Sequence, residues 1–236
     1  MKILSFTFGN KNSYDDFGII ISKRPSIPSP KRRVTYIEIP DKSSNFKFDE
    51  GTFEDITILV ECGVNLKANL ADKIDEIKAW IINTGESDLI FSFQPDKKYI
   101  AQVVNMIDFK QVLKHTSRFP IIFNCKPFKY SVEENIITIT KNNSTIYNKG
   151  TFQSEPVIKV YGSRDIKLKI NEDEVTIKKV DGYVNIDSVL KDCYKDDALK
   201  NGDMIGEFPV FKVGENIIDF NGNVSKVEVK VNEVWI

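Results

Sequence analysis

A period-two alternation of apolar and polar residues runs through most of this chain, and it limits the fold more than any other feature. In "DITILVECG" (55–63), Ile56, Ile58, Val60 and Cys62 fall on one side of an extended backbone, with Thr57 and Glu61 on the other. "IKLKI" (166–170) alternates without a break. "SKVEVKVNEV" (225–234) sets Val227, Val229 and Val231 against Lys226, Glu228 and Lys230. Successive strand side chains point to opposite faces, so this pattern describes half-buried strands of antiparallel sheets. Shorter runs of the same kind occur at 3–8, 17–22, 33–39, 88–93, 98–106, 118–125, 135–140, 156–161, 174–180, 208–213 and 216–220.

One segment has a different period. "NLADKIDEIKAWIINTG" (69–85) spaces Leu70, Ile74, Ile77 and Ile81 at helical intervals, with Asn69 as N-cap, Asp72 in the first turn and Gly85 as the stop. "NIDSVLKDCYKDDAL" (185–199) reads as either a short helical turn or a loop, and "KNNSTIYNKG" (141–150) as a loop. The strand at 118–125 ends at Lys126-Pro127, because proline cannot donate to a ladder. Beyond Tyr130 a polar stretch precedes renewed alternation. The reading is mainly β, a β-rich α+β chain of two domains. Residues 1–130 form an antiparallel β domain with one helix, and residues 131–236 are nearly all β.

At 236 residues the chain is long enough for two cores. Formal net charge is −1, without the basic excess of a general nucleic-acid or anionic-membrane binder. "KRPSIPSPKRR" (23–33) holds five basic residues and three prolines, which is incompatible with regular structure. It reads as an extended or subunit-contact arm in preference to a nucleic-acid arm. No apolar run is long enough to span a bilayer, and "MKILSFTFGNKNSYDD" reads as a first strand and not as a signal peptide. Cys62, Cys125 and Cys193 are odd in number and widely spaced, which argues for reduced thiols and against disulfides or a zinc site.

Chemistry is sparse. His115 is the single histidine and lies in a polar stretch. No nucleophile elbow, zinc-protease motif, Walker loop or dinucleotide fingerprint occurs. Carboxylates cluster at Asp15-Asp16, Glu172-Asp173-Glu174 and Asp196-Asp197, where adjacent residues in polar turns suit solvation better than glycosidase chemistry. Trp80, Trp235, Tyr161, Tyr183 and Tyr194 could stack on sugars or fill cores. The expectation is a protein with no catalytic, cofactor-binding or metal-binding residues, hence no enzyme.

"GEFPVFKVGENIIDFNG" (206–222) carries dense turn punctuation. Asn221-Gly222 predicts a type I′ hairpin, and Gly214-Glu215-Asn216 a link between strands 208–213 and 216–220, together making a closing three-strand meander. This stretch, with "DFGIIIS", "IEIP", "GTFEDITILVEC", "LADKIDEIKAWI", "DLIFSF", "KKYIAQVV" and "RFPIIFNCKPFKYS", resembles the distal tail protein family of long-tailed bacteriophages (the siphophage tail component) over nearly the whole chain. Cys125, Pro127, Phe128 and Tyr130 match the run that closes the family's N-terminal domain. Gly206, Phe208, Pro209, Gly214 and Asn216 match its closing pattern. "DKSSNFKFDEG" departs from the glycine-containing turn of many relatives, which implies a differently shaped hairpin tip.

The resemblance implies an N-terminal belt domain that forms a ring, typically a homo-hexamer, and a C-terminal galectin-like β-sandwich. The ring would join the tail tube protein to the tail-tip hub protein and scaffold host-adhesion or receptor-binding proteins, in a virion assembled in the host cytoplasm. Ring contacts would come from surfaces the monomer core does not need, the arm at 23–33 and the hairpin at 36–58. The alternative is a carbohydrate-binding module or adhesin for cell-wall glycans, which leaves the first half of the chain unexplained. The short loops of the second half leave little room for a sugar pocket.

Overall fold

The computed structural model describes residues 3–65, 70–106, 110–113 and 116–236. It is mainly β, with one α-helix among these residues. The chain divides into two compact units, residues 1–132 with Ile236, and residues 133–235. His115 and Asn69, and the side chains of Leu70 and Asp72, lie outside the described residues.

The first unit contains β1 (Phe6–Phe8), β2 (Lys11–Asn12), β3 (Ile19–Ile21), β4 (Arg32–Ile37), β5 (Phe46–Phe53), β6 (Ile56–Asn65), α1 (Leu70–Thr84), β7 (Ser87–Phe91), β8 (Lys97–Val103), β9 (Lys110–Leu113), β10 (Thr116–Cys125) and β11 (Lys129–Ser131). Its main sheet is antiparallel in the order β2–β1–β7–β8–β10–β6–β3, with β9 on β10 and β11 on β8. Alternation along β6 holds as read, with Ile56, Ile58, Val60 and Cys62 buried. Helix α1 sets Ile77, Trp80 and Ile81 into the same core. The Trp80 ring stacks on Phe17 at 4.4 Å and on Phe6 at 5.9 Å, and its Nε1–H donates to the Phe8 carbonyl at 3.2 Å. Trp80 is therefore a core residue with its one polar atom satisfied, and is not a sugar platform. Gly85, at φ +63, ends the helix in the left-handed conformation that glycine adopts at least cost.

The second unit contains β12 (Ile136–Ile139), β13 (Ser144–Asn148), β14 (Val157–Ile170), β15 (Asp173–Asp187), β16 (Asp192–Lys195), β17 (Ala198–Leu199), β18 (Met204–Ile205), β19 (Gly214–Lys230) and β20 (Val234–Trp235). The strand order is β12–β19–β14–β15–β16–β17, with β13 also on β19 and β18 on β15. Strands β14, β15 and β19 are long and kinked, and residues on both sides of the kinks bury one core. Val160 and Leu168 of β14, Val184 and Ile177 of β15, and Val229 and Ile218 of β19 all belong to it. One sheet thus curls into a sandwich, and its core is closed at both ends by the same three strands.

Three local readings are corrected by this sheet. Asn221-Gly222 makes no hairpin, since β19 runs straight through it along β14, from Val157↔Lys230 to Ile170↔Ile218. Between Ser163↔Asn223 and Lys167↔Asn221 the register shifts, and Gly222, at φ +109, lies opposite the bulge around Arg164-Asp165. A bulge and a tight turn both need positive φ, so the dipeptide serves either. Residues 208–213 are no strand and make a single bridge, Phe211 with Ser154. The "loop" at 141–150 contains strand β13, with Ile146 and Asn148 fully buried, and 185–199 is strand and hairpin with no helical turn.

Limited proteolysis is expected to cut first at the exposed Glu133-Glu134 junction. A Glu-specific protease should release two resistant fragments meeting there. Early cuts inside β6 or β14 would contradict the two-unit layout.

Candidate functional site

Strands β4 and β5 form a two-stranded sheet of their own. The register pairs Thr35 with Phe48, Tyr36 with Lys47 and Ile37 with Phe46. Directly paired residues of an antiparallel ribbon share a face. One face therefore carries Thr35, Ile37, Phe46 and Phe48, and the other carries Val34, Tyr36, Lys47 and Asp49. Ile37 is 49% exposed, Phe46 54%, Phe48 56% and Tyr36 59%. The alternation that predicts burial at 33–39 is present, but the apolar side meets solvent. An isolated two-stranded ribbon is marginal in water, and contiguous exposed apolar side chains mark an interaction surface.

The ribbon is anchored at its base. Arg32 pairs with Asp49 at 2.7 Å and lies over the Phe53 ring at 5.2 Å, Lys31 pairs with Glu54 at 3.1 Å, and Phe53 meets Phe128 edge-on at 5.5 Å. Gly51, at φ +71, sits in the bulge where the register shifts between Arg32 and Val34. The Gly51 amide, and then Arg32, hold the Asp49 carboxyl below the usual carboxylate range. Asp49 thus stays ionised at neutral pH, and its support is lost only as pH falls through that lowered value. The arm at 23–31 is irregular as read, while Arg32 and Arg33 already belong to β4. Ile27 packs against the core of the first unit and Arg24 lies 4.2 Å over Phe93, so this arm is tied down to its own unit. At the other end of the expected hairpin, Ile56 and Ile58 belong to the core strand β6.

A second exposed apolar surface lies on the outer side of the main sheet. Ile20 pairs with Gly63 and Leu59 with Ile122, which places Ile20, Leu59 and Ile122 on the face opposite the core. The Val104 amide donates to the Ile122 carbonyl, so Val104 lies beside it. Ile20 is 42% exposed, Leu59 48% and Val104 59%.

The residues matched to the closing patterns are structural in their contacts and fall in different units. Cys125 ends β10 fully buried, Pro127 follows it in the connection to β11, Phe128 supports Phe53, and Tyr130 pairs with Lys98. Gly206, at φ +114, passes so close to β15 that an added Cβ would lie 2.6 Å from the Glu174 carbonyl. Phe208 packs on the second core and Pro209 is buried beside it. Gly214, at φ +90, opens β19. Asn216 is fully buried. Its Oδ1 accepts from the Lys212 amide and from Asn171 Nδ2, each at 2.9 Å, and its Nδ2 donates to the carbonyls of Lys212 and Gly214. The punctuation of 206–222 is therefore construction, though by clamp and bulge and without a hairpin.

Burial pushes all three cysteine thiols up, Cys125 to about 12 and Cys193 to about 11, so they remain protonated at neutral pH. The carboxylate clusters sit in separate surface turns. Asp16 accepts the Asn12 amide, Glu174 pairs with Lys167, and Asp196 accepts the Tyr183 hydroxyl. Among the described residues no group of three or more His, Cys, Asp or Glu is placed to hold a metal ion.

No protein-family model matches the chain, and no curated protein matches it in sequence. Its fold matches the crystal structure of the SPP1 Dit (gp 19.1) protein, described as a paradigm of the hub adsorption apparatus in phages that infect Gram-positive bacteria. The match has a TM-score of 0.72 and covers 100% of both chains at 12% identity. The fold expected from the resemblance, a β domain with one helix followed by a sandwich, is the fold observed.

Proposed function

We propose that this chain is a virion structural protein of a long-tailed phage, a non-enzymatic distal tail protein whose copies close into a hexameric ring between the tail tube and the tail-tip hub. The observation that carries the reading is the unpartnered apolar face of the β4–β5 ribbon, on a protein with the fold of a phage hub-apparatus component. A ring needs a head-to-tail contact between two different surfaces. The ribbon face of Ile37, Phe46 and Phe48 supplies one. The outer sheet face of Ile20, Leu59 and Val104 supplies the other. A durable joint should bury about 1,200–2,000 Å² per contact, and the apolar side chains of both surfaces would form its centre.

In this reading the second unit faces outward as a platform for adhesion proteins, and the particle's tail tip is the site of action. The test is native mass together with electron microscopy at high concentration, alone and with candidate tube and hub partners. Six-fold rings support the proposal, and particles of other symmetry under every condition overturn it.

A further inference from the structure

The second unit carries a basic recess where β15 bends. Its floor is apolar, with Val180 and Val184 both buried, and its rim carries Lys178, Lys179, Lys195 and Lys200 beside the Tyr183 ring. The recess holds about 120 Å³. That falls well short of a drug-sized site but leaves room for one small group.

The charges around it do not balance. Asp181 is the one carboxylate in the lining, and Lys195 already takes it, at 3.5 Å, while donating to the Asp181 carbonyl at 2.6 Å. Lys200 reaches Asp203 at 3.8 Å. Among the described residues no carboxylate pairs with Lys178 or Lys179. Other lysines of this unit are paired, Lys167 with Glu174, Lys191 with Glu155 and Lys226 with Glu228. In a chain of net charge −1, four lysines around one recess are a local excess.

The backbone holds them there. Lys179 sits at φ +52 and Gly182 at φ +79, and the Lys179 amide donates to Asp165 Oδ1 at 3.0 Å. A left-handed lysine costs free energy that glycine or asparagine would largely avoid. Strained residues with unsatisfied charge gather where a ligand is gripped.

We propose that this recess binds a phosphate group carried on an organic ligand. Lysine ammonium groups act as point charges around a tetrahedral oxyanion, whereas planar carboxylate recognition calls for an arginine fork, and the lining contains no arginine. The apolar floor and the Tyr183 ring would receive the carbon skeleton next to the phosphate. The site lies wholly in the second unit and is independent of ring formation.

The test is calorimetric titration of the full chain with glycerol 3-phosphate, inorganic phosphate and glycerol at physiological salt. Saturable binding of glycerol 3-phosphate with Kd on the order of 1 mM is expected, with no signal for glycerol. Tighter binding of the ester than of inorganic phosphate assigns the site to an organic phosphate, and equal affinities reduce it to a free-anion site and overturn that assignment. The double variant K178Q/K179Q should weaken binding roughly tenfold, while K178R/K179R retains it and K141Q/K149Q leaves it unchanged. Thermal unfolding of each variant checks that the fold is intact. Absence of saturation, or unchanged binding by a folded K178Q/K179Q chain, overturns the proposal.

Discussion

Replacing Phe46 and Phe48 together by Asp is expected to abolish the ring without unfolding the chain. Both side chains are more than half exposed in the single subunit, so the substitutions remove no core packing. In a closed ring the same positions would be dry, and an unpaired buried charge costs about 3–5 kcal/mol, or roughly 10²–10³-fold in the association constant per contact. Leu59→Asp on the outer sheet face should have the same effect from the other side of the joint. The two defective chains provide a sharper test when mixed. Each keeps one intact surface, so a head-to-tail interface allows one good contact and the mixture should stop at heterodimers. An isologous contact between two ribbons would leave Leu59→Asp rings intact. Rings formed by the Phe46→Asp/Phe48→Asp chain would remove the ribbon from the account.

The largest stability effect is expected at Gly162. An added Cβ there would lie 2.2 Å from the Asn223 carbonyl oxygen and 2.8 Å from Ile166 Cδ1, at the point where β14 and β19 close on each other. Backbone on one side and a buried core residue on the other leave nothing free to yield. Gly162→Ala should cost about 3 kcal/mol, at the upper end of over-packing penalties. In a unit of about 100 residues that lowers the melting temperature of the second unit by roughly 12–20 °C. Gly202→Ala is the control, because nothing lies within 4 Å of its added Cβ, and its effect should stay within about 0.5 kcal/mol. A Gly162→Ala protein melting with the wild type would show that the β14–β19 crossing is looser than described.

The sequence made the faces legible but not their partners. Ile56 to Cys62 and Val227 to Val231 alternate so regularly that their buried sides could be assigned directly, and the α1 stripe is equally plain. The long strands of the sandwich were harder to read, because Gly162, Gly182 and Gly222 interrupt the period and look like strand ends. They are kinks within β14, β15 and β19, which only the neighbouring strands reveal. The ribbon shows the opposite difficulty. Its alternation at 33–39 is real, but a period cannot say whether an apolar face meets the chain's own core or another molecule. The lysine recess had no sequence signature, since Lys178 and Lys195 come together only through the pairing of β15 with β16.

The central claim is that identical copies of this chain close into a ring. The most direct measurement is native mass by light scattering across a concentration series, repeated with candidate tube and hub proteins present. The chain weighs 27.0 kDa, and six times 27.0 kDa is 162 kDa. A species of 162 kDa, with six-fold symmetry when imaged, is the predicted result. A monomer, or a two-fold dimer, that persists under every condition would contradict it.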